Sequence, residues 1–144
     1  MSSHGHPGQE IKCHLLCPAQ GARIRIHPGA KMDHPAKVDM QPNKPAEWEI
    51  IALVCINGNK WRIKSPVHNT YLRTSPGVPD AQVDNTPNAG EWEAYEVVDL
   101  PNGLKAFRSL AHNTYLSARG SHEGAPLRAV PNCDAWEHWV IERM

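Results

Sequence analysis

The sequence predicts an all-β fold built from three copies of one four-stranded unit, and three observations carry that prediction. The first is an internal repeat. His68-Asn69-Thr70-Tyr71-Leu72 recurs 44 residues later as His112-Asn113-Thr114-Tyr115-Leu116. Trp-Glu stands at 48–49, 92–93 and 136–137, again 44 apart, and Pro-Asn at 42–43, 87–88 and 131–132, at steps of 45 and 44. Three markers agreeing in period and order are the signature of a repeat architecture. The second is composition: 13 prolines and 10 glycines in 144 residues suit many turns and few long helices. The third is alternation of period two, as in Trp61, Ile63 and Ser65 against Arg62 and Lys64, which marks half-buried strands.

The copies span about 10–54, 55–100 and 101–144, after a polar lead-in over 1–9 that is expected to be disordered. Each copy opens with an alternating strand, around Cys13 and Leu15, Trp61 to Ser65, or Lys105 to Ser109. A turn follows, His-Asn-Thr in two copies and Gln20-Gly21-Ala22 in the first. Asn suits such a turn because it tolerates positive φ and bonds its own backbone. A second strand starts at Tyr71-Leu72 or Tyr115-Leu116, and a Gly or Pro turn ends it at Pro28-Gly29, Pro76-Gly77 or Gly120. The first copy carries extra residues after that turn, around Lys31 to His34. A third strand holds Val38, Val83 or Leu127, and a fourth follows Trp-Glu. Asn57-Gly58 and Asn102-Gly103 then give hairpin turns into the next copy.

Three copies of four strands close without exposed edges as a β-trefoil, a six-stranded barrel capped by three hairpins. A propeller, the other closed all-β plan, needs more blades than three. The residues expected inside are Ile24, Val38, Ile51, Leu72, Val83, Tyr95, Leu116, Leu127 and Trp139.

Charge and cysteine content narrow the function. Lys plus Arg equals Asp plus Glu at 15 each, so nothing draws the chain to nucleic acid or to an anionic membrane. No apolar run is long enough to span a bilayer. The start of the chain has no apolar core of a secretion signal. Cys13, Cys17, Cys55 and Cys133 are therefore expected as free thiols in a reducing, cytoplasmic setting. The four-residue step from Cys13 to Cys17 is not a zinc spacing, and no second pair completes a site, so neither metal nor other cofactor is expected.

Tyr115-Leu116-Ser117-Ala118-Arg119-Gly120, then Leu127, then Trp136-Glu137 with Trp139 three positions after the Trp, resembles the repeat of the fascin-like, actin-crosslinking-like (hisactophilin-like) β-trefoils. The resemblance covers about 10–144, is good in copies two and three and poor in copy one, and implies the fold more than the function. Ricin-type sugar-binding trefoils carry Gln-x-Trp, whereas this chain has Ala46-Glu47-Trp48, Gly90-Glu91-Trp92 and Asp134-Ala135-Trp136, which disfavours that type. Ile26-His27-Pro28-Gly29 bears a weaker likeness to a stretch of mussel-type galactose-binding trefoils.

Glu49, Glu93 and Glu137 recur in every copy, and architecture explains that better than a carboxylate ring does: each is expected to accept backbone N–H bonds at a hairpin. Trp48, Trp92 and Trp136 are expected by the same logic to be packing residues, although an exposed indole face also stacks on sugars. His68 and His112 are accounted for by turn polarity. No Gly-x-Ser-x-Gly, phosphate loop or zinc-protease helix is present, and Cys17 or Cys133 needs a nearby His to act as a nucleophile, so no enzyme is expected.

A non-enzymatic glycan-binding, lectin-like module is the leading reading, because three related niches on one small domain give avidity for a clustered glycan. The alternative is an actin-filament binder, which the resemblance implies but the zero net charge disfavours. A third reading is a protease inhibitor, inserting the long first-copy loop Gly29 to Pro45. The expected sugar contacts lie after each second strand: His27, Gly29, Asp33, His34 and Asp39 in copy one, Ser75, Asp80 and Asp84 in copy two, and Arg119, His122 and Arg128 in copy three. Copy one gathers donors, acceptors and a close-approach glycine within residues 27–39 and is the expected best site.

Overall fold

The computed structural model describes residues 3–144. Among the described residues twelve strands run in order, four to a copy. The first copy holds β1 (Glu10–Cys17), β2 (Ala22–Ile26), β3 (Ala36–Gln41) and β4 (Ile51–Asn57). The second holds β5 (Lys60–Ser65), β6 (Thr70–Thr74), β7 (Ala81–Thr86) and β8 (Tyr95–Asp99). The third holds β9 (Lys105–Ser109), β10 (Tyr115–Ala118), β11 (Ala125–Val130) and β12 (Val140–Arg143). The only helices among the described residues are single 3-10 turns, and none is long and apolar enough to cross a membrane.

First and fourth strands form the barrel. β1 pairs β4, β4 pairs β5, β5 pairs β8, β8 pairs β9 and β12 pairs β1, all antiparallel. A bridge between Lys105 and Trp139 closes the ring from β9 to β12. Second and third strands form the hairpins β2–β3, β6–β7 and β10–β11. The three third strands also pair with one another, β3 with β7, β7 with β11 and β11 with β3, so they cap one end of the barrel around a common axis. The protein is a β-trefoil with pseudo-threefold symmetry.

The nine residues expected inside are all buried, with Val38 the most accessible at 6 %. The turn after each first strand shows how different residues meet one demand. Gly21, Asn69 and Asn113 occupy the same left-handed position, with φ of 62°, 56° and 59°. Their N–H groups donate to Cys17, Ser65 and Ser109 at 2.9, 2.8 and 2.9 Å. Only glycine and, at modest cost, asparagine fit there, so Gln20-Gly21-Ala22 replaces His-Asn-Thr without altering the turn.

The structure corrects three boundaries. β4 runs to Asn57, so the first repeat ends after 54. The first-copy loop does not extend from Gly29 to Pro45, because Ala36–Gln41 is β3 paired with β2. The extra residues lie at 27–35, where Lys31 and His34 exchange backbone bonds of 2.8 and 3.1 Å. Residues 3–9, read as disordered, pack on the barrel: Trp61 Nε1 donates to the Ser3 carbonyl at 2.9 Å, and the Gly5 N–H donates to Gly58 at 2.8 Å. Met1 and Ser2 of that lead-in lie outside the described residues.

Candidate functional site: three indole niches and an axial pocket

Each Trp-Glu pair forms a 3-10 turn before its fourth strand, at Glu47–Glu49, Glu91–Glu93 and Ala135–Glu137. The glutamate folds inward, only 3, 4 and 3 % exposed. Its Oε1 accepts the N–H of Ala46, Gly90 or Asp134 at 2.7, 2.7 and 2.8 Å. The same residues' carbonyls accept the glutamate N–H. These carboxylates are architectural, as the sequence indicated. The tryptophans are not. With about three residues per 3-10 turn, neighbours point roughly 120° apart, so burying the glutamate turns the preceding indole outward. Trp48, Trp92 and Trp136 are 38, 41 and 45 % exposed, which overturns the expectation that they pack inside. The indoles that do pack are Trp61 and Trp139, at 3 and 0 %.

The residue three beyond the core isoleucine or leucine of the second strand sits at this niche in copies one and three, as His27 and Arg119, whereas the equivalent Ser75 of copy two donates its N–H across the hairpin to the Gln82 carbonyl at 3.0 Å. The His27 ring lies 5.2 Å from Trp48, and the Arg119 guanidinium lies 4.9 Å above the Trp136 ring. Arg119 is steadied by Ser117 Oγ at 3.0 Å, and that hydroxyl donates to Glu137 at 2.6 Å. The following copy supplies another wall. His68 stands 5.8 Å from Trp48, and His112 stands 5.0 Å from Trp92. His68 Nε2 also meets the Ile26 carbonyl at 3.1 Å, which places its proton on Nε2, and Gln20 makes the equivalent bond to Ala118 at 3.0 Å. His112 Nε2 is buried without a hydrogen-bond partner. His68 thus ties copy two to copy one by a hydrogen bond, and His112 packs on the indole of the copy before it, roles that turn polarity did not disclose.

Clefts of about 490 and 450 Å³ open beside Trp48 and Trp136. The first is lined by Arg25, Gln41, Lys44 and Glu47, the second by Pro79, Asn132, Asp134 and Arg119. Sequence reasoning missed Gln41, Lys44, Pro79 and Asn132. The period of 44 marks equivalent residues but not which copies adjoin.

The remaining candidates separate into two groups. Gly29, Asp33 and His34 lie on the β2–β3 loop, Asp80 on the β6–β7 loop and His122 on the β10–β11 loop. Gly29 holds a φ of 100°, which favours glycine. Asp39, Asp84 and Arg128 converge instead, one from each copy, on a single pocket of about 440 Å³ inside the triangle of third strands. The two carboxylates face arginines across their hairpins. Arg25 grips Asp39 at 2.8 and 3.0 Å, and Arg73 grips Asp84 at 2.9 and 2.9 Å. His27 Nε2 lies 3.0 Å from Asp39 Oδ2 but outside hydrogen-bond geometry, so the two act as an ion pair only when the ring is protonated. Burial alone pushes the Asp39 carboxyl up, yet Arg25 and His27 together outweigh it and hold it below the ordinary carboxylate value.

All four cysteines are unpaired, three of them buried. Burial raises the Cys17 and Cys133 thiols, which keeps them protonated and poorly nucleophilic.

No protein-family model and no curated protein matches the chain. Solved structures do. The designed threefold-symmetric protein ThreeFoil superposes with a TM-score of 0.81 at 14 % identity, covering 92 % of this chain and 99 % of that one. SeviL, solved bound to the asialo-GM1 saccharide, gives 0.72 at 15 %, covering 92 and 97 %. The BEL β-trefoil gives 0.76 at 16 %, covering all of both chains. At such identities the likeness establishes the trefoil fold.

Proposed function

We propose that the protein is a non-enzymatic, multivalent glycan-binding module whose contact platforms are the indole niches at Trp48, Trp92 and Trp136. The observation that carries this reading is the outward indole in every copy. A large apolar ring held half exposed three times over, on a turn anchored by a buried carboxylate, is suited to stacking on the apolar face of a sugar. The niche edges supply polar groups: His27 and His68 beside Trp48, Arg119 beside Trp136. A β-trefoil solved with a bound saccharide supports the same reading at the level of fold. Unpaired thiols suit a reducing, cytoplasmic setting. Kinship with the fascin-like group rests on the Tyr-Leu and Trp-Glu repeat pattern alone.

A glycan array run beside actin co-sedimentation tests it. Binding to a clustered glycan is expected, with no pelleting alongside filaments. Trp48→Ala, Trp92→Ala and Trp136→Ala should each weaken that binding by about tenfold, because avidity multiplies across niches, while strand content stays unchanged. A silent array with filament binding, or single variants that bind as the parent does, would reject the reading.

A further inference from the structure

The hairpin register places one feature outside the threefold pattern. Across β2 and β3, Arg25 opposes Asp39, and across β6 and β7, Arg73 opposes Asp84. The equivalent pair across β10 and β11 is Ser117 opposite Arg128. The third copy therefore carries a cation where the other two carry an acid, and no carboxylate faces it from its hairpin. Its neighbour on β7 is Gln82, whose amide is engaged with Asp84 at 3.2 Å. Arg128 makes no side-chain hydrogen bond or ion pair among the described residues.

The pocket on the axis inherits this asymmetry. Its polar wall is Lys37, Gln82, Asp39, Asp84 and Arg128, over a floor that includes Val38 and Val83. Asp39 and Asp84 are each neutralised by a bidentate arginine. Lys37 Nζ, 3.5 Å from Asp39, and Arg128 are the further cations on the pocket wall. Glu123 meets Arg25 at 3.4 Å, so around the pocket the four cations Arg25, Lys37, Arg73 and Arg128 face the three carboxylates Asp39, Asp84 and Glu123, and one positive charge is in surplus. A partly enclosed site with surplus positive charge, and an arginine whose planar fork is uncommitted, has the chemistry for an oxyanion. Its volume of about 440 Å³ falls in the range of about 300–1,000 Å³ usual for small-molecule sites, more than a lone ion fills.

We propose that this axial pocket is an oxyanion-binding site, with Arg128 and Lys37 as the binding cations, for a phosphate or sulfate group, free or esterified to a small sugar. Asp39 and Asp84 hold Arg25 and Arg73 in place and leave acceptor-rich ligand edges to the third copy. The site is distinct from the indole niches, so it stands or falls independently of the glycan reading.

The test is a two-dimensional amide NMR titration of the full chain with sodium sulfate, against sodium chloride at equal ionic strength, and with galactose 6-sulfate against galactose. Sulfate-specific shifts are expected at Val38, Val83, Leu127 and Arg128, and not at the three niche indoles. Equal affinities for the two sulfates would assign the free ion, and tighter binding of the sugar sulfate would assign the ester. Arg128→Gln should weaken the response by about tenfold or more, the effect of removing a charge-assisted hydrogen bond. The double variant Ser117→Arg with Arg128→Asp rebuilds the third Arg–Asp pair. It should remain folded, with a dispersed spectrum, and lose the sulfate response. Absence of pocket shifts in the parent, or an unchanged response in Arg128→Gln, would overturn the proposal.

Discussion

Single residues show how one chemistry serves two ends. Asp99 is half exposed, yet Lys105, and then Ser3 through its hydroxyl and N–H, hold its carboxyl at about 2, below the ordinary 3.8. A depressed folded pKa adds stability above the unfolded value and loses it as pH falls through the folded one. Asp99→Asn should therefore destabilise the protein near neutrality, and the gap from the parent should close as pH falls from 3.8 to about 2, read by denaturant unfolding across that window. A gap that persists below it would remove the ion pair as the cause. The thiols give a second test. Burial pushes Cys13 up to about 12, and Cys133 is the one cysteine that is not fully buried. Ellman titration should find four free thiols in denatured protein and reach only Cys133 quickly in native protein. Fewer than four in the denatured sample would mean oxidation. The inward glutamates were legible from the sequence because a group repeated in all copies serves the shared backbone. The outward indoles were not, since their direction depends on the 3-10 turn that the glutamate closes.

At the scale of elements, the turn after each first strand is the best-specified piece. A left-handed backbone costs an ordinary L-residue about 1–2 kcal/mol, and a β-branched residue is worse placed still. Asn113→Gly should thus be neutral or slightly stabilising, as Gly21 already fills that position in the first copy. Asn113→Val should cost at least about 1 kcal/mol by chemical denaturation. Equal stability of the two variants would show that the turn is not held in that conformation. Strand alternation was also legible, since period two is a local property. The end of β4 was not, because pairing of Asn57 with Lys60 across the hairpin carries the strand beyond the alternating stretch.

For the molecule as a whole, all three copies contribute to one core. Ile24, Leu72 and Leu116, one from each copy, are wholly buried together. Leu116→Ala should cost about 2–5 kcal/mol, the range for a leucine removed from a packed interior. A loss under about 0.5 kcal/mol would place it at the surface and break the register. Closure around one axis also gathers Asp39, Asp84 and Arg128, which lie 45 and 44 residues apart in the sequence, into one pocket rather than three clefts.

The sequence alone determined the repeat, the count and order of strands, the left-handed turn, the buried set and the structural role of the glutamates. Each of these is written in local spacing or in residues that recur with the period. Only the tertiary structure decided that the indoles face outward, that His68 abuts the tryptophan of the copy before it, and that Arg128 stands in place of a third acid on the axis. Those facts depend on which copies adjoin and on the direction of side chains across strands far apart in the chain. Barrel closure sets both, and no periodicity encodes it.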